Sequence, residues 1–105
     1  MEAMPLVLTE PETQAQAHAV PKPIPQWKVL LHNDEITTFE FVTELLIRLF
    51  HKSHTEAAKL TLEVHECEVA CITITTQERA ELYVEQVHSL ARPRGFPLTA
   101  TIEPE

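Results

Sequence analysis

Residues 27–42, WKVLLHNDEITTFEFV, decide the fold. Trp27, Val29 and Leu31 alternate with Lys28, Leu30 and His32, the period of two that a half-buried strand requires. Asn33, Asp34 and Glu35 follow, an amide and two carboxylates at the strand's end. Thr37, with Glu40 three residues later, reads as a T-x-x-E capping box, and Ile36 and Phe41 sit where its hydrophobic staple belongs. A strand, an acidic turn and a capped helix therefore hold three polar residues at one corner.

Downstream of this unit the first helix is predicted from Thr38 to about His51. Val42, Leu45, Leu46, Leu49 and Phe50 recur at helical spacing along one face. Ser53-His54-Thr55-Glu56 is a second capping box, opening a helix that runs to about His65. Val69 to Thr75 alternates again, with Ala70, Ile72 and Ile74 set against Val69, Cys71, Thr73 and Thr75, a strand rich in β-branched residues. Thr75 or Thr76 caps a third helix built on Ala80, Tyr83, Val84, Val87 and Ala91, which Pro93 and Gly95 end. Leu98, Ala100 and Ile102 form a closing strand. The order β-α-α-β-α-β predicts an α+β domain, three antiparallel strands packed against three helices. Upstream, residues 1–25 carry five prolines (Pro5, Pro11, Pro21, Pro23 and Pro25) and read as a disordered tail ahead of a domain at 26–105.

Composition narrows the function. A chain of 105 residues, 44% of them hydrophobic, suffices for one small core. A net charge of −8 argues against nucleic acid or an anionic membrane as main partner and favours cationic ligands. No apolar run approaches the roughly 20 residues of a membrane span, and no signal peptide is expected. Two cysteines, Cys67 and Cys71, are too few for a disulfide framework, so a reduced cytoplasmic setting is expected. Gly95 is the single glycine, which removes glycine-rich phosphate loops and with them most nucleotide chemistry.

No nucleophile, base and orienter assemble in the sequence, so no catalytic role is expected and no cofactor is called for. His65, Cys67 and Cys71 are a possible metal set, but their spacing lacks the tight pairs of a structural zinc site. Asn33 at the end of the first strand and His65 at the end of the second helix meet only if that helix packs over the strand's end. Together with Asp34 or Glu35 they would suit a primary ammonium, which has three donors and no acceptor. The plainer alternative is that Asn-Asp forms an ordinary turn and His65 caps a helix.

The run WKVLLHNDEITTFEFVTELLIRLFHKSHTEAAKLTLEVHE, continuing through AELYVEQVHSLARPRGFPLTATIEPE, resembles the ClpS adaptor family over about residues 26–105. The resemblance implies a non-enzymatic adaptor without cofactor. Such an adaptor binds proteins beginning with Leu, Phe, Tyr or Trp and delivers them to a ClpA or ClpC unfoldase paired with ClpP. Carried over by position, Asn33, Glu35 and His65, with Asp34 beside them, would hold the α-amino group. Leu31, Thr37, Phe39, Val42, Thr61, Leu62 and Leu98 would line the side-chain pocket, and Glu78 and Tyr83 would face the unfoldase. The sequence departs from the family at Glu35 (usually Asp), Thr38 (usually Pro), Phe39 and Thr61 (usually Met), and Tyr83 (a basic residue in some members). The turn Glu66-Cys67-Glu68 lacks the family's frequent glycine. The pocket changes imply an altered or narrowed preference among the four first residues, with Thr61 as a short polar wall. A divergent relative with another ligand or partner is the alternative reading.

Overall fold

Val29 and Leu31 are wholly buried, and the strand that carries them, β1 (Gln26–His32), is the centre of a three-stranded sheet. The computed structural model describes residues 23–105, so the tail expected at 1–25 lies outside the described residues but for its last three. β2 (Val69–Thr76) and β3 (Thr99–Pro104) flank β1, both antiparallel to it. The helices are α1 (Phe39–Arg48), α2 (His54–Cys67) and α3 (Gln77–Ala91), the last followed by a 3-10 turn at Arg92–Arg94. The element order and α+β class are those predicted.

The core follows the periodicities. Leu45 and Leu46 from α1 and Phe50 just beyond its end, Ala57, Leu60 and Val64 from α2, and Ala80, Val87 and Ala91 from α3 close over Val29, Leu31, Ala70, Ile72, Leu98 and Ala100. The Phe50 and Tyr83 rings stack at 4.5 Å between centroids, tying the turn after α1 to α3.

Three local expectations are corrected. The cap of α1 is Thr38, whose hydroxyl accepts the Phe41 N–H at 3.1 Å, and not Thr37. Thr37 is already engaged by Asp34, and Ile36 stays exposed rather than stapling the helix. The last α-helical residue of α1 is Arg48, and the chain then closes in a left-handed turn. There His51 has φ 59°, and the Lys52 N–H reaches the Leu46 carbonyl at 3.0 Å. In β2, Ile74 lies outside the core. The pairing shifts between Val29 and Leu30, so that Val29 faces Thr73 while Leu30 faces Cys71. This bulge reverses the alternation, and Ile74 pairs with Lys28 on the open face. Ser53 and Thr76 cap the other two helices as expected.

One tertiary hydrogen bond couples the fold to pH. The Nε2 of His88 on α3 accepts the Ala100 N–H of β3 at 3.1 Å, which requires the neutral imidazole. Burial, aided by the charge of Arg92, lowers the pKa of His88 from its ordinary 6.5. A lowered folded-state pKa gives stability that is present above the unfolded value and lost as pH falls through the folded one. Thermal unfolding followed from about pH 8 to about pH 5 will therefore show a falling midpoint, and His88→Gln will flatten the lower part of that profile. Parallel profiles for the two proteins would contradict this role.

Candidate functional site

Where β1 ends, Asp34 builds the corner. One carboxylate oxygen accepts the Ile36 N–H at 2.8 Å and the Thr37 N–H at 2.7 Å, and the other accepts the Thr37 hydroxyl at 2.7 Å. This is an aspartate turn, in which a short acceptor satisfies backbone donors that no strand or helix reaches. Burial by itself raises the Asp34 pKa. The bonds from Thr37 and Ile36, with the charge of Arg92, outweigh it and hold the carboxyl below its ordinary 3.8. The clip is thus ionised near neutrality, and its contribution to stability fades only as pH falls through that lowered value.

The second half of the corner comes from the end of α2. Glu68 terminates that helix in the left-handed region, φ 73°, a conformation that disfavours a side-chain-bearing residue by roughly 1–2 kcal/mol. Its carbonyl accepts the Asn33 N–H at 2.8 Å, and Val69 then enters the sheet opposite His32. This strained turn closes the end of α2 onto the end of β1 and brings Asn33 and His65 to one opening.

Between them is a cavity of about 360 Å³. Asn33, Asp34, Glu35, Thr37, Thr38 and Phe39 line it from the corner and the start of α1, Val42 from α1, and Thr61, Val64 and His65 from α2. Asn33 and Asp34 are half-buried, while Glu35 and His65 are exposed at the rim. Among the described residues, no lysine or arginine lines the cavity. Chemically, the rim offers an amide, carboxylates and an imidazole, and the wall offers a phenyl ring and the methyl groups of two valines. A cation with an apolar substituent matches both.

Of the expected pocket residues, Thr37, Phe39, Val42 and Thr61 lie on this cavity and Leu31, Leu62 and Leu98 do not. Leu31 and Leu98 are core residues behind the wall, 0% and 1% exposed. Leu62 is 46% exposed, because one step along a helix turns it about 100° from Thr61. Val64 and Thr38 were not among the expected residues. Val64 had a visible signal: Thr61, Val64 and His65 at i, i+3 and i+4 form one helical face. Thr61 is not the polar wall expected, since it is 3% exposed and its hydroxyl is held by the Ala57 carbonyl at 2.7 Å.

Glu78 and Tyr83 are separated by about 140° around α3. Glu78 is exposed, whereas the half-buried Tyr83 ring is stacked on Phe50 and overlain by the Arg79 guanidinium at 5.9 Å. Among the described residues, no three His, Cys, Asp or Glu side chains come together as a metal site. His65 and Cys67 sit two residues apart on α2, and Cys71 lies within β2.

Fold and cavity together define a small α+β domain with an acceptor-rimmed, apolar-walled opening at its strand–helix corner. The sequence model of the family described as ATP-dependent Clp protease adaptor protein ClpS matches residues 22–101. An ATP-dependent Clp protease adapter protein ClpS from Desulfatibacillum aliphaticivorans is 44% identical over 99 residues, covering 94% of this chain and 89% of that protein. The Myxococcus xanthus protein of the same name is 40% identical over the same shares. The structure of Agrobacterium tumefaciens ClpS2 bound to L-phenylalaninamide superposes with a TM-score of 0.76 at 31% identity, covering 79% of this chain and all of that one. The chain belongs to the ClpS family of Clp protease adaptor proteins.

Proposed function

We propose that this adaptor binds the free α-amino group and the bulky apolar or aromatic first residue of N-degron proteins, and delivers them to a ClpA or ClpC unfoldase for degradation by ClpP. The observation that carries the reading is the union of acceptor rim and apolar wall in one cavity. The ligand of the Agrobacterium relative, L-phenylalaninamide, presents the same two features, a free amine and a benzyl group.

Asn33, Glu35 and His65 would receive the three donors of the ammonium, each charge-assisted bond adding roughly 1.5–3 kcal/mol net. Asp34 would act one step back, holding the loop through Thr37 and Ile36 while adding negative potential. The first side chain would lie among Thr37, Phe39, Val42, Thr61 and Val64. Exposed Glu78 would face the unfoldase, whereas Tyr83, stacked on Phe50 beneath Arg79, would support that surface from about 140° around α3. The task makes and breaks no covalent bond, so it asks for neither an enzyme's nucleophile nor a cofactor. Both cysteines are free, which fits a reducing cytoplasmic setting. No helix among the described residues is long and apolar enough to cross a membrane.

Peptides identical beyond their first residue and beginning with Phe, Leu, Tyr, Trp or Ala test the reading by fluorescence anisotropy. The expected result is that the best of the four large residues binds at least about 10-fold tighter than Ala, the worth of one buried apolar side chain. Because Phe39 is a rigid ring at the lip, the four are expected to bind unequally. Equal binding of all five peptides would overturn the reading.

A further inference from the structure

Thr43 does not line the cavity, yet it joins the two helices that do. Its hydroxyl oxygen lies 2.9 Å from the Phe39 carbonyl and 3.0 Å from the Thr61 hydroxyl oxygen. The Thr61 oxygen lies in turn 2.7 Å from the Ala57 carbonyl. Two hydroxyl protons therefore serve three contacts, in a line from the first turn of α1 to the wall of α2. Thr61 is almost wholly buried, and its oxygen has one partner on each helix, the Thr43 hydroxyl on α1 and the Ala57 carbonyl on α2. Phe39, whose carbonyl the same line engages, stands 45% exposed at the lip.

We propose that Thr43 is a positioning residue for first-residue specificity: it fastens the Thr61 hydroxyl away from the cavity and sets the lip at Phe39. The inference rests on the proposed function, in which this wall meets the first side chain. It explains how a threonine can form part of an apolar wall without presenting an unpaired oxygen to it. A buried hydroxyl is costly without a partner and tolerable with two. Without Thr43 the Thr61 oxygen has only the Ala57 carbonyl, and turning toward the cavity would disfavour a phenyl edge and accept a phenol hydroxyl.

The test compares Phe-led and Tyr-led peptides on the wild type, Thr43→Val and Thr43→Ser. Thr43→Val is expected to shift the Phe-to-Tyr affinity ratio toward Tyr by about 3- to 10-fold, the net worth of one hydrogen bond. Thr43→Ser restores the hydroxyl and is expected to return the wild-type ratio. An unchanged ratio in a folded Thr43→Val protein, or equal behaviour of Val and Ser, overturns the inference alone. Wild-type protein that binds neither peptide overturns the proposed function and the inference with it. A direct reading needs no variant: in wild-type protein with the Phe-led peptide, NMR is expected to show a nuclear Overhauser contact between the Thr61 methyl and the peptide's ring. Absence of that contact in the saturated complex also overturns the inference.

Discussion

His65→Ala is expected to weaken the binding of a Phe-led peptide by about 10- to 150-fold, the range set by losing one charge-assisted hydrogen bond. The same variant is expected to unfold at nearly the wild-type temperature. His65 is exposed at the last turn of α2, and no intramolecular hydrogen bond or ion pair among the described residues depends on it. Surface substitutions of that kind usually shift stability by no more than about 0.5 kcal/mol. Anisotropy titration paired with a thermal melt separates the two effects. The apolar wall is untouched by the change, so selectivity among first residues should survive as affinity falls. An unchanged affinity would remove His65 from the rim's function.

Much of this fold was legible because its elements are strongly periodic. β1 alternates cleanly, and the apolar face of α1 recurs at helical spacing, so both elements were found, although the cap of α1 and its last turn were not. Asn33 and His65 were paired from the residues only on condition that α2 packs over the end of β1, with Asp34 or Glu35 as counter-charge; the resemblance to the ClpS family implied the full set, and all four line one cavity. The parts that were not legible share a cause: two local structures competed for the same residue. Thr37 has a T-x-x-E pattern, but Asp34 three residues earlier captures its N–H and hydroxyl, and the cap passes to Thr38. The pattern D-x-x-T was the available signal. Ile74 reads as core by alternation, and a single bulge exports it. Leu31 and Leu98 are apolar and near the site, yet sequence spacing cannot separate a cavity's surface from the layer behind it. That distinction depends on how closely α1 and α2 pack.

The site also carries strain that the sequence only hinted at. Glu68 occupies a left-handed position in the turn after α2, and its carbonyl fixes Asn33. Strain of this kind persists where the surrounding structure over-determines it. Here β1, β2 and α2 meet at that residue.

The second large effect concerns the ligand. Acetylating the peptide's α-amine removes the charge and replaces an ammonium with an amide that has one donor and a new acceptor facing carboxylates. The rim would lose two of its three bonds, at roughly 1.5–3 kcal/mol each, so affinity should fall by at least about 100-fold. The apolar wall still meets the same first side chain, which isolates the contribution of the amine. The measurement is one titration of the wild-type chain with a Phe-led peptide, free and acetylated, at neutral pH and fixed salt. Binding of the free form with loss of the acetylated form is the predicted result, and equal affinity for the two would contradict the account.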